Sequence, residues 1–417
     1  MDARTLTRTR TLLSAGALLF AVAACCSQSL TWLGTVAGDW EGVRSTAYGV
    51  TNEGIVVGET SDLFWSRAFR WENGVMHNLG ALSGVASLAY AVSANGAVVV
   101  GYWRNQSMQV RAFRWTRTEG MWDIAPLSTY WSEARGVSAD GSVVVGWAET
   151  ATSPARAFRW TPTGVAQDIG TLGGREAWAF GVSADGQAIV GMAQDTTGRY
   201  RAFRWTPTGR MQNLGVLPGY ERSSAFAVSA DGAVVVGTVA RNNGGNWQHH
   251  AFRWTQAGGM QNLGTLGGVN SYATGVSGDG SIVVGYAEDA NRQYRAFRWT
   301  QARGMEDLNR TYAYLIPAGS ALTVAWAISP NGRYIVGLGF NASMQRWEAF
   351  LLDTAPSCTA HNGDVDNNRC IDDADLLAVL FAFGEAGSAL GRRDVNCDGR
   401  VDDADLLTVL FNFGSGC

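Results

Sequence analysis

The residues best equipped for chemistry lie near the C-terminus. The stretch Asp394-Val395-Asn396-Cys397-Asp398-Gly399-Arg400-Val401-Asp402-Asp403-Ala404-Asp405 carries oxygen-bearing side chains at alternate positions of a twelve-residue segment. Calcium is a hard cation that takes about six to eight oxygens, and a loop of this length supplies them from positions 1, 3, 5, 7, 9 and 12. Here those are Asp394, Asn396, Asp398, the Arg400 carbonyl, Asp402 and Asp405, with Gly399 at the sharp turn. An earlier stretch repeats the pattern with Asp364, Asp366, Asn368, the Cys370 carbonyl, Asp372 and Asp375. Arg369 stands where glycine is preferred, which predicts a left-handed residue held at some cost in strain. Two calcium ions are therefore expected.

Each loop runs into an apolar segment of helical period, Leu376–Gly384 and Leu406–Gly414. Leucine and phenylalanine at i, i+1, i+4 and i+5 predict two helices packed antiparallel on one another. The aspartates just ahead suit the positive end of each helix dipole. A duplicated loop–helix unit with Asp rather than Glu at position 12 resembles the dockerin modules. That resemblance implies a cohesin-like or cell-surface protein as partner of residues 358–417. Dockerins often carry Ser-Thr just before the last ligand, where this chain has Asp373-Ala374 and Asp403-Ala404. A calcium-stapled cap that docks nothing is the competing expectation.

Residues 358–417 hold eleven acids against four Arg, a net charge of −7, and residues 25–357 come close to neutral. No basic face is indicated, so no nucleic-acid partner is expected. Cys358, Cys370, Cys397 and Cys417 are all in the tail and predict two disulfides in an oxidising compartment, with the pairing open. At the other end, Arg4, Arg8 and Arg10 precede the apolar run Leu12–Ala24, which reads as an export signal over residues 1–24. Two cleavage readings stand. Ala21-Val22-Ala23 fits an ordinary signal peptidase, whereas Val22-Ala23-Ala24-Cys25 resembles a lipobox, which would make Cys25 a lipid anchor and the one membrane contact.

Between these ends the chain repeats. Val-Gly pairs recur at 57–58, 100–101, 145–146, 190–191, 236–237, 284–285 and 336–337. A period near 45 residues with four β-like segments per copy is that of four-stranded propeller blades. The seventh copy ends after Glu348–Leu352 without a fourth strand, and an orphan fourth-strand sequence, Leu30–Val36, precedes the first copy. Pairing the two would close the ring and remove two open sheet edges. The fold expected is thus an all-β seven-bladed propeller over residues 30–354, followed by a small all-α calcium-binding module. The units, with His250-Ala251-Phe252, five Arg-Ala-Phe variants, Leu-Gly-Thr-Leu-Gly-Gly at 263–268 and Val-Ser-Ala-Asp-Gly at 137–141, resemble the extracellular HAF-repeat family. That resemblance implies an exported β-repeat protein and names no substrate.

The six Ala-Phe-Arg-Trp tetrads read as packing between blades with Arg lying along Trp, and the Asp-Gly pairs as turns. His249 and His250 are adjacent, so on a strand they face opposite ways and cannot share a metal. No zinc spacing, nucleophile elbow or phosphate loop is present. Any ligand should then meet the variable loops, which hold Trp40, Trp65, Trp103, Trp131, Trp178, Tyr220, Trp247, Tyr272, Tyr294 and Trp347. The expected function is non-catalytic binding of a glycan or protein partner. The alternative is a polysaccharide hydrolase or lyase drawing a carboxylate pair from Glu41, Glu59, Glu133, Glu149, Glu176, Glu221 and Glu288.

Overall fold

The computed structural model describes residues 28–36, 44–62, 65–82, 84–124, 131–150, 153–164, 166–355, 361–386, 390–397 and 400–417. The export signal, Cys25, Trp40, Glu41, Cys358, Asp398 and Gly399 lie outside them. The chain divides into two compact units, one over Ser27–Pro356 and one that includes Ser357–Cys417. Among the described residues no helix is long and apolar enough to cross a membrane.

The larger unit is seven four-stranded antiparallel sheets, a seven-bladed β-propeller. Blade 1 runs from Arg44–Val50 through Val56–Ser61 and Ser66–Glu72 to Val75–Asn78. The innermost strands of blades 2 to 7 are Ala86–Val92, Ser132–Val137, Gly173–Val182, Arg222–Val228, Gly267–Val276 and Ala321–Ile328. Blade 7 continues with Tyr334–Asn341 and Arg346–Asp353, and its fourth strand is the N-terminal Ser29–Trp32. That strand pairs antiparallel with Arg346–Asp353, Thr31 opposite Leu351 and Trp32 opposite Phe350, so the ring closes as expected.

The core lies between neighbouring blades. Leu33, Val36, Ala47, Val56 and Phe69 pack against Val336, Ala349 and Leu351 across the closing seam, and comparable clusters fill the other seams. The phenylalanine of every third strand, from Phe69 to Phe350, is fully buried. The tetrad arginines do not lie on their tryptophans in blades 4 and 5. Arg204 and Arg253 instead donate to the Gly232 and Gly280 carbonyls of the following blade, which bridges the seam by hydrogen bonds.

Two further devices tie blade to blade. A serine of the inner strand accepts from the third-strand alanine of the preceding blade: Ser87 from Ala68, Ser132 from Ala112, Ser223 from Ala202 and Ser271 from Ala251. At the seam where the first and last strands of the propeller meet, Ser45 accepts from Ala349 at 3.0 Å and donates to Gly34 at 2.6 Å, so one hydroxyl holds both sides of the closure. The turns between first and second strands are also chained by backbone bonds, Ala94 to Ala139, Ala139 to Ala184, Ala184 to Ala230, Ala230 to Gly278 and Gly278 to Pro330. Pro330 has no N–H to pass on. Asn331 donates to the Asn52 side chain at 2.8 Å in its place and carries the belt into blade 1.

In the smaller unit two helices, Asp373–Phe381 and Asp403–Asn412, each follow a loop. They contact one another, but the stripe expected to pack between them is largely turned outward. Val379 and Val409 are buried with Ile371, Ala382, Leu390, Val395 and Val401, whereas Leu377, Leu380, Phe381, Leu407, Leu410 and Phe411 are exposed, both phenylalanines by 84%. The reason is size. A unit this small buries one narrow strip per helix, and the two loops take up the remaining contact.

Candidate metal centre and axial cavity

The two tail loops wrap their acidic side chains in the same way. Asp375 and Asp405, both fully buried, sit in the first turn of their helices and reach back into the loop. Asp375 accepts from the Asp366 and Asp372 amides at 3.1 and 3.0 Å, and Asp405 accepts from Asn396 and Asp402 at 3.0 Å each. Asp372 and Asp402 accept from the Ala374 and Ala404 amides and form capping boxes with Asp375 and Asp405. Asp364 accepts from the Asn368 and Arg369 amides, and Asn368 accepts from Cys370. Arg369 adopts φ +78°, the left-handed conformation its position demands. In the second loop Asp394 is buried and Cys397 takes the positive φ that Asn367 takes in the first. Cys370 and Arg400 stand at position 7 of each loop, directly before the buried Ile371 and Val401.

Carboxylate oxygens of Asp364, Asp366 and Asp375 lie within 4.8 Å of one another. Arg392 donates to the backbone carbonyls of Asp364 and Val365, and the ion pair of Arg393 is with Glu385, so neither arginine is seen paired with a carboxylate of that trio. Three carboxylates crowded together, two of them buried, repel unless a cation joins them. An all-oxygen donor set fits a hard divalent ion. Cys370 is disulfide-bonded to Cys417, and Cys397 is disulfide-bonded as well.

A second feature lies on the propeller axis. In all seven inner strands the register slips by one residue at the same place, and the extra residue is Tyr48, Tyr90, Arg135, Phe180, Phe226, Thr274 or Trp326. All seven line a cavity of about 730 Å³. Beyond them, towards the first turns, the lining is valine in six blades and Ile328 in the seventh, and on the other side stand Tyr272 and Tyr286.

The rings touch in sequence round the axis. His249 stacks on Tyr272, which stacks on Tyr286 at 4.7 Å, and Tyr286 meets Trp326, Trp326 meets Tyr48 and Tyr48 meets Tyr90 at 5.6–5.8 Å. The Arg135 guanidinium lies 3.8 Å from the Tyr90 centroid, within reach of Phe180, and pairs with Glu133 at 2.7 Å. Glu59 is buried and accepts from the Tyr48 hydroxyl at 3.3 Å. Burial pushes its carboxyl up, against the pull of Arg44 and the Tyr48 hydrogen bond. Burial also raises the Tyr48 and Tyr90 phenols, and carries Tyr286 up to about 12 with help from Tyr294.

Of the aromatics expected on the loops, Trp65, Trp131, Tyr294 and Trp347 are exposed, while Trp103 is buried. Tyr220 and Trp247 are half-buried, and Trp178 packs on Tyr200. Several of the acids have local partners. Glu176 accepts from Tyr200, Glu288 from Asn270 and Glu221 from the Asn242 amide, while Glu149 sits at the outer end of its strand. His249 and His250 face opposite ways, onto Tyr272 and Tyr220. The axial ring is what sequence reasoning missed. Its signal was present: the residue between Ala and Gly or Ala in each first strand takes five identities over the seven blades while its neighbours hardly change.

No protein-family model and no curated protein matches the chain. Solved structures do resemble it. The β-propeller domain of the trilobed protease from Pyrococcus furiosus, described as having an open velcro topology, aligns with TM-score 0.50 at 10% identity over 76% of this chain and 95% of that one. A putative TolB from Agrobacterium tumefaciens gives 0.43 at 13% identity over 67% and 94%. TolB from Acinetobacter baumannii gives 0.41 at 12%, with 76% of this chain covering 65% of that one. What this chain shares with the Pyrococcus domain is the propeller fold.

Proposed function

We propose that the chain is an exported, non-catalytic binding protein of the HAF-repeat kind whose dockerin-like tail folds around two calcium ions. The propeller takes a glycan or protein partner on its variable-loop face, and the tail docks to a cohesin-like or cell-surface protein. Export follows residues 1–24, with Cys25 as lipid anchor if the lipobox is used. The observation that carries the reading is the duplicated acidic loop, in which carboxylate oxygens of Asp364, Asp366 and Asp375 converge within 4.8 Å. Support for docking comes from Phe381 and Phe411, two equivalent rings left in water by a module too small to cover them.

Calorimetric titration of the EDTA-treated full chain with calcium chloride tests the tail. Two equivalents are expected, and no heat of binding would overturn the reading. A glycan array probed with calcium present, together with a pull-down on extracellular polymer, tests the propeller. Failure of both would count against the binding role.

A further inference from the structure

We propose that the axial cavity is a binding site for the end of a neutral saccharide, entered between the inner strands rather than on the loop rim. This rests on the binding role proposed above and adds a site of its own on the axis, distinct from the variable-loop face, with its ligand class.

Three observations carry it. The first is that one slipped residue per blade aims inward at the same level, and five of the seven are aromatic. Packing of the blades does not require this, because each seam is filled by the third-strand phenylalanine and the valines beside it. The second is size. A volume of about 730 Å³ holds one or two sugar rings, and it falls in the ordinary range of small-molecule pockets.

The third is the polar pattern. Tyr48, Tyr90, Tyr272, Tyr286, Thr274, Trp326 and Arg135 line the cavity, so its wall offers phenol, hydroxyl, indole and guanidinium groups. Such groups are costly to leave unpaired, and a ligand rich in hydroxyls answers them in either direction. The charges argue against an ionic ligand. Arg135 already occupies the Tyr90 face, so a second cation there is repelled. Glu133 pairs with Arg135, so an anion meets no free guanidinium there, and Glu59 is held towards its neutral form by burial, so a cation gains little from it. Flat aromatic faces with hydrogen-bonding edges suit a pyranose, whose C–H face stacks and whose rim donates and accepts.

Thr274 supplies the decisive variant. It is the small residue of the ring, in the position where other blades carry tyrosine, phenylalanine or tryptophan, so the backbone accepts an aromatic side chain there. The full chain, with calcium, is titrated with neutral oligosaccharides of glucose, xylose and N-acetylglucosamine, and with choline and benzoate, following tryptophan fluorescence. At least one oligosaccharide should bind at millimolar concentration or below. Thr274→Tyr, which fills the cavity, and Trp326→Ala should each weaken it about tenfold or more, with thermal melting reporting that both variants are folded. Trp122→Ala, at an exposed tryptophan on an outer strand, should leave it within about twofold, and Trp65→Ala and Trp347→Ala on the rim are measured beside it. Binding lost in the rim variants and kept in Thr274→Tyr would overturn the axial site while leaving the loop-face reading standing. Choline or benzoate binding more tightly than every sugar, or no sugar binding at all, would also overturn it.

Discussion

A Cβ added to Gly146 would lie 1.9 Å from the carbonyl oxygen of Glu133. The same approach recurs at Gly58, Gly101, Gly191, Gly237, Gly285 and Gly337, each against the inner strand of its own blade at 1.9–2.0 Å. The Val-Gly landmark is therefore a consequence of the slipped inner strand. The strand bends outward, its carbonyl presses on the neighbour, and the extra residue swings to the axis. Gly146→Ala should thus cost about 3 kcal/mol or more, since backbone and not a flexible side chain must move. Urea unfolding of the variant checks this, and a loss below about 1 kcal/mol would contradict it.

Ser45 closes the ring by the same hydrogen bonds that Ser223 makes inside the chain. Ser45→Ala strands a buried amide and should cost about 1–3 kcal/mol. Ser223→Ala should cost a similar amount. The two differ in consequence: only Ser45→Ala should raise hydrogen exchange in Ser29–Trp32 and Arg346–Asp353, because the strand it holds is tied to the ring by no covalent neighbour in its blade. Equal exchange in both variants would show that the latch is not part of closure.

What the sequence disclosed and what it hid follow from periodicity. Blade number, the mating of Leu30 with Leu352 and the turn role of Asp140 were legible, because each repeats a local pattern or completes a missing one. The serine latch and the belt from Ala94 to Pro330 were not, since both join residues of different copies and leave no local mark. The axial ring was hidden for a different reason. Attention to what repeats discards the position that varies, and Tyr48, Arg135 and Trp326 share nothing except their place. In the tail the loops were readable from oxygen spacing, whereas the outward face of Phe381 was not, because a helical apolar stripe looks alike whether it meets its own core or a partner.

The tail should respond to calcium as a unit. Gly414 donates to the Ile371 carbonyl and Ile371 to Ser415, while Gly384 donates to Val401 and Val401 to Glu385. Each helix end is thus bonded to the loop of the other helix. Removing one loop's ligand by Asp364→Ala should weaken calcium binding at both loops, read by calorimetry as loss of one equivalent and reduced affinity of the second. EDTA should abolish the tail's melting transition and leave that of the propeller in place. An unchanged second site would show that the bridges do not couple the loops.

Acid should loosen the propeller through its turns. Asp140, Asp185 and Asp231 accept from the hydroxyls of Ser138, Ser183 and Ser229 and from the amide two residues on. Those serine bonds, and then the backbone ones, hold the carboxyls below their ordinary value of 3.8, Asp140 at about 2. A lowered folded value means that the unfolded chain takes up protons first, so this stability is present above about pH 4 and is lost as the pH falls towards 2. Asp140→Asn should flatten the dependence of melting temperature on pH between 4 and 2. The turns are solvated, so the change per site is small, and it should accumulate when Asp185 and Asp231 are replaced as well. A triple variant with an unaltered acid profile would refute the assignment.

Arg369 offers a test in the direction of gain. Its φ of +78° is a conformation that glycine adopts freely and a residue with a Cβ adopts at a cost of about 1 kcal/mol. The interaction the loop needs from this position is its backbone amide, which donates to Asp364 at 3.0 Å and is kept by any replacement other than proline. The side chain is exposed, so removing it opens no cavity. Arg369→Gly also deletes a positive charge beside an acidic site, which favours a cation further. Glycine adds disorder to the unfolded loop, and that opposes part of the gain. The balance predicts tighter calcium binding at the first loop by about threefold to tenfold, with the second loop following more weakly through its bridges. Calorimetry on Arg369→Gly and on Arg369→Gln separates the causes: glutamine removes the charge alone, so the excess of glycine over glutamine measures the backbone strain, and equal affinities would place the whole effect in the charge.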